Sequence, residues 1–122
     1  KRYLGSGKSC FVKAEWVDIP TAIDTIHAAG GVAVIAHPMR YNMTGKWIRR
    51  LIVDFKQWDG DGMEVADSGQ TKDQRQYLAR LANEYDLAAS LGSDFHFPCG
   101  WIELGKNLFL PEEVKPIWTL FE

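Results

Sequence analysis

Short apolar runs alternate with helix-patterned segments along this chain, and that alternation restricts it to few folds. Val32-Ala33-Val34-Ile35-Ala36 is wholly apolar and rich in β-branched residues, the pattern of a strand buried on both faces. Met63-Glu64-Val65-Ala66 and residues 87–91 read as two further short strands. Three helical patterns are interleaved with them. Asp18-Ile19-Pro20 opens the first with an N-cap and an early proline, Ile19, Ala22, Ile23, Ile26 and Ala29 share one face, and Gly30-Gly31 stops it. Thr44 opens the second, whose apolar face is Trp47, Ile48, Leu51, Ile52 and Phe55. Thr71 opens the third, with Tyr77, Leu78, Leu81, Ala82 and Tyr85. Helices alternating with short strands imply parallel strands and right-handed crossovers, an α/β fold of βαβ units. Residues 18–122 read as one domain and residues 1–17 as a linker or the end of an insertion. Pro111-Glu112-Glu113 reads as a last helix start.

Composition narrows the function classes. The chain has 122 residues, 46% apolar and 25% charged, which suits one globular domain with a modest core. A net charge of -2 gives no global attraction to a polyanion, so any nucleic acid would be met by a local basic patch or by metal ions. The basic positions of the second helix, Lys46, Arg49, Arg50 and Lys56, read as a solvated outer face. No apolar run approaches the ~20 residues that span a bilayer, so no membrane partner is expected. Cys10 and Cys99 read as free thiols of a cytoplasmic protein. Gly5-Ser6-Gly7-Lys8-Ser9 resembles a phosphate loop, but Arg2 stands where that loop needs glycine. Asp59-Gly60-Asp61-Gly62 reads as a turn. The start, Lys1-Arg2-Tyr3, lacks an initiator methionine, and we expect a piece of a longer protein.

Parallel neighbours share polarity, so their C-terminal ends lie on one edge, where α/β folds bind ligands. His37 follows the first strand, residues 67–70 follow the second, and Asp94 and His96 follow the third. Residues i and i+2 of an extended backbone face one side, so Asp94 and His96 can reach a common point, with Gly92 allowing close approach. Two imidazoles and a carboxylate suit zinc, manganese or iron. Arg40 can pair with phosphate oxygens, and Ser68 and Gln70 stand near the same rim. Glu64 reads as packed or bonded inside the fold, and His27 as a boundary residue at a helix end.

These residues resemble the C-terminal part of polymerase-and-histidinol-phosphatase (PHP) domain proteins. The likeness rests on Gly30-Gly31-Val32-Ala33-Val34-Ile35-Ala36-His37-Pro38-Met39-Arg40-Tyr41, on Gly62-Met63-Glu64-Val65 and on Gly92-Ser93-Asp94-Phe95-His96. Trp101-Ile102-Glu103-Leu104-Gly105 fits the branch of bacterial 3′,5′-nucleoside bisphosphate phosphatases and 5′→3′ exoribonucleases. The resemblance implies about half of a distorted (β/α)7 TIM-like barrel and a metal-dependent phosphoesterase acting on a nucleotide or short single-stranded RNA. It implies up to three divalent ions in the full-length enzyme, manganese first, with iron or zinc as alternatives. It makes His37, Asp94 and His96 metal ligands, while Arg40 by its guanidinium and Ser68 and Gln70 by their place at the rim are expected to contact substrate. The early His-x-His motif of the family has no counterpart here. The expected partner is therefore the missing N-terminal part of the same polypeptide. Alone, the piece is expected to be inactive and prone to dimerise through its open strand edges. The rival expectation is a PHP-like binding module without metals or catalysis.

Overall fold

The computed structural model describes residues 16–98, 100 and 103–121. The glycine-lysine loop, Cys10, Cys99 and the Trp101-Ile102 pair lie outside the described residues, as does most of the 1–17 segment.

Helix α1 spans Ile19–Ala28, and Asp18 caps it by accepting the Thr21 N–H at 2.9 Å. Gly30, at φ +75°, takes the left-handed turn that ends it. Strand β1 is only Val34–Ile35, helix α2 is Gly45–Gln57, strand β2 is Gly62–Asp67, helix α3 is Lys72–Glu84 and strand β3 is Ala88–Gly92. Thr71 and Gln74 close a full capping box on α3, each side chain satisfying the other's backbone N–H.

The three strands form one parallel sheet in the order β1-β2-β3, the arrangement expected from the alternation. Central β2 is buried along its whole length, which is why its sequence lacks a polar face. Ile23 of α1, Ile48, Ile52 and Phe55 of α2, and Leu78 and Leu81 of α3 join Met63, Val65 and Ala89 in one core. Ile52, Met63, Val65 and Leu78 are fully buried, each burial contributing about 1.5–3 kcal/mol.

β1 is shorter than the apolar run because pairing ends where His37 takes φ 33° and ψ 56° and Pro38 starts a 3-10 turn. α1 exposes much of the apolar face read for it, Ile19 at 40% and Ile26 at 38%, beside an edge of β1 that no strand among the described residues pairs. No final α-helix follows Pro111. The Ala89 N–H donates to the Lys115 carbonyl at 2.7 Å and draws residues 115–116 into an extended bridge beside β3. Only a 3-10 turn, Ile117–Leu120, remains after it. Among the described residues no helix is long and apolar enough to cross a membrane.

Candidate active site

At the C-terminal edge of the sheet, β2 carries an irregularity that shapes everything beside it. Its register with β3 shifts between Glu64 and Ala66, an extra residue that kinks and twists the strand just before Asp67. The Asp67 carboxylate is buried; Oδ1 accepts the Gly69 N–H at 2.6 Å and Oδ2 accepts Arg40 Nε at 3.3 Å. The same guanidinium donates through its Nη1 to Asp94 Oδ2 at the end of β3. Arg40 thus ties the loops after all three strands together, and the Asp67 bond holds its pKa above the ordinary value.

Glu64 lies beneath, 8% exposed, and accepts the His37 N–H at 2.7 Å. Burial, then repulsion from Asp67 and Asp94, pushes the Glu64 carboxyl above the usual range, while the His37 N–H works against that rise. Gly92 is the close approach that the sequence suggested, since a Cβ there would sit 2.8 Å from Glu64 Oε1. An open hollow of about 290 Å³ adjoins this cluster, lined by Met39, Arg40, Asp67, Gly69, Gln70 and Gln74.

His37 is half-buried, edge-on to Tyr41 with ring centroids 5.8 Å apart, and its Nδ1 is buried with no hydrogen-bond partner among the described residues. His96 is 71% exposed, and its Nδ1 lies 2.8 Å from the carbonyl of Asp94. The extended backbone expected for the Asp94/His96 pair ends at Gly92, because Asp94 adopts φ 53°. His37 and Asp94 are therefore both left-handed, a conformation costing about 1–3 kcal/mol that concentrates at functional sites. Ser68 Oγ donates to the Ser93 carbonyl at 2.9 Å, and Gln70 Oε1 accepts the Asp67 N–H at 3.0 Å. Both side chains fix the rim, and the Gln70 amide nitrogen is left buried with no hydrogen-bond partner among the described residues.

The donors fit a divalent ion in kind, since the edge carries carboxylates and an imidazole nitrogen with no partner among the described residues. They do not form a cage: among the described residues no three His, Cys, Asp or Glu side chains come together to hold a metal. Arg40 supplies positive charge between Asp67 and Asp94 instead.

A larger hollow, about 360 Å³, opens at the other end of the strands. There His27 pairs with Asp61 at 2.7 Å and Lys56 donates to the Asp86 carbonyl at 2.7 Å, and the hollow lies away from the strand C-terminal edge where α/β folds bind ligands, so the smaller hollow is the better site. The basic side of α2 is likewise engaged, Arg49 with Glu84 and Arg50 with Asp54. Sequence reasoning placed Asp67 on the correct edge with residues 67–70 but overlooked its role as the anchor of Arg40. It also overlooked Arg75, whose signal was its place three residues before Leu78 on the buried face of α3.

No protein-family model matches the chain. It is homologous to a 5′-3′ exoribonuclease of Haemophilus influenzae, 77% identical over 121 residues, covering 99% of this chain and 44% of that protein. A 3′,5′-nucleoside bisphosphate phosphatase of Chromobacterium violaceum is 42% identical over 123 residues, covering all of this chain and 43% of the relative. The chain thus spans less than half the length of these relatives. Among solved structures, an amidohydrolase from Chromobacterium violaceum with bound sulfate and no metal superposes with a TM-score of 0.79. It is 42% identical and covers 97% of this chain and 41% of that one. A Bifidobacterium adolescentis protein assigned as a metal-dependent phosphoesterase gives a TM-score of 0.60 at 27% identity, covering 89% of this chain and 38% of that one.

Proposed function

We propose that this chain is the C-terminal part of a metal-dependent phosphoesterase that hydrolyses nucleotide or 5′-end RNA phosphoesters in the cytoplasm. Residues 18–122 would form about half of a distorted (β/α)7 PHP barrel, with residues 1–17 leading into it. One observation carries the reading. Arg40, held between Asp67 and Asp94, borders an open hollow, and His37 three residues before it has a buried Nδ1 with no partner among the described residues. That cluster stands in a chain homologous from end to end with an exoribonuclease and a nucleotide phosphatase.

His37, Asp94 and His96 would contribute to holding divalent metal, manganese first, the remaining ligands coming from the rest of the polypeptide. Bound metal would supply a water of lowered pKa and neutralise phosphate charge. Arg40 would turn its fork toward phosphate oxygens, and sulfate in the Chromobacterium violaceum structure is an anion of the same shape. Ser68 and Gln70 would set the rim on which the substrate rests. Glu64 fixes the turn at His37 from below.

The test compares the complete polypeptide with the 122-residue chain on a 5′-phosphorylated oligoribonucleotide and a nucleoside 3′,5′-bisphosphate, with manganese or with chelator. The complete protein is expected to hydrolyse one or both only with manganese, and the isolated chain neither. Metal-independent turnover, or equal turnover by the isolated chain, overturns the reading.

A second reading is favoured by the absence of a three-donor cluster among the described residues and by Arg40 in a cation's place. It is a metal-free binding module, and metal analysis of the complete protein without stoichiometric ion would establish it. In isolation the unpaired β1 edge and the half-uncovered face of α1 would bring two copies together. Light scattering is expected to give twice the 13.8 kDa chain mass, and a monomer at every concentration counts against it.

A further inference from the structure

Arg75 lies on α3 with 3% of its surface exposed, a depth at which arginine is almost never found unless it is paired. Among the described residues it forms no salt bridge, and the Asp67 carboxylate supports its charge only through space. Its Nη2 donates to two backbone carbonyls, Asp67 at 3.3 Å and Asn107 at 3.1 Å. Its guanidinium carbon lies 3.9 Å from the centre of the Phe109 ring, and its Nε has no partner among the described residues. Burial works against its charge. An apolar side chain would fill such a site at less cost, so a cation here suggests a duty other than stability.

The duty follows from what the bonds connect. Asp67 ends β2 and anchors Arg40, whereas Asn107 and Phe109 belong to the segment that follows the Asp94 loop. Beyond Arg75, the hydrogen bond that ties that segment to the β2 end among the described residues is a long one from Asn107 Nδ2 to the Ser68 carbonyl, 3.5 Å. Asn107 itself holds a left-handed φ of 56°. Ser68 in turn bonds the Ser93 carbonyl, next to Asp94.

We infer that Arg75 is a positioning residue, a latch that holds the segment around Asn107 and Phe109 against the end of β2 and thereby fixes Asp67 and the guanidinium it carries. Its bearing on catalysis rests on the phosphoesterase reading above; the latch itself does not.

The experiment uses the complete polypeptide with Arg75→Met, Arg75→Lys and Phe109→Ala. In Arg75→Met, amides of residues 104–109 are expected to exchange about tenfold faster relative to those of β2 and α3. KM should rise about tenfold while kcat changes less than about twofold, because Arg40 would bind phosphate from a shifted place. Arg75→Lys should restore part of the KM, since it keeps charge and a donor. Phe109→Ala removes a largely exposed ring and keeps both bonds, so it is expected to loosen the same segment by about threefold even if Arg75→Met does not fold. Uniform acceleration across the protein, or an unchanged segment with unchanged KM, overturns the latch. If wild-type protein cleaves no phosphoester, the functional reading fails and the exchange pattern alone decides the latch.

Discussion

Gly62→Val is expected to cost about 3 kcal/mol or more of folding stability, a large share of the roughly 5–15 kcal/mol that a domain has. A Cβ at position 62 would sit 2.6 Å from Ile117 Cδ1 and 2.7 Å from the Ala88 carbonyl oxygen. The isoleucine tip can rotate away. The carbonyl cannot, because Ala88 is the residue paired with Gly62 in the β2–β3 register. Gly62 also pairs with Val34 on the other side, so the backbone has nowhere to move without opening a ladder. Alanine alone should cost about 1–3 kcal/mol, and valine adds two methyl groups to the same collision. Gly100→Ala, with no atom of the described residues within 4 Å of the added Cβ, is expected to stay within about 0.5 kcal/mol of wild type. Denaturant midpoints of the three variants check the ranking, and a valine variant as stable as the Gly100 control would show that the sheet yields where the packing says it cannot.

Gly62 also marks where sequence reasoning stopped. In Asp59-Gly60-Asp61-Gly62 it looked like the last residue of a turn, because glycine and aspartate favour turns locally. Its actual role is set by Ala88 and Ile117, far along the chain, and no local pattern carries that information. The order of elements was legible because burial on both faces leaves a strand apolar, as in β2, and because Asp18 and Thr71 announce their helices by capping. Element ends set by tertiary pairing were not. β1 stops early where His37 turns left-handed and Pro38 begins a 3-10 turn, and residues 115–116 extend along β3 where a helix was expected after Pro111.

The candidate site divides along the same line. His37 stood out because it follows a strand, a property of the local sequence. The extra residue in β2 and the left-handed turn at Asp94 are departures from regular geometry that composition does not encode. Those departures set the actual pairing. Arg40 reaches across to Asp67 and Asp94, 27 and 54 residues away, and only the folded chain selects those carboxylates from the many it carries.

If the Asp67–Arg40 bond anchors phosphate recognition, both Asp67→Ala and Asp67→Asn should lower kcat/KM of the complete polypeptide about a hundredfold. Their stabilities should separate. Alanine removes the acceptor that holds the Gly69 N–H at 2.6 Å and empties a side-chain site only 3% exposed, at a cost of about 1–3 kcal/mol. The cost stays modest because Arg40 is 39% exposed, and water can take over its solvation. Asparagine keeps one oxygen for Gly69 and fills the same space, so its stability should lie near that of wild type. Its amide NH₂ then faces the Arg40 Nε–H, donor against donor, and the guanidinium loses its inner anchor. Arg40→Met supplies the decisive background. If Asp67 acts through Arg40, adding Asp67→Asn to Arg40→Met costs no further activity, a coupling equal to the whole single-mutant loss. Additive losses would instead mean that Asp67 meets the substrate or a metal directly, with Arg40 as a neighbour and not its purpose.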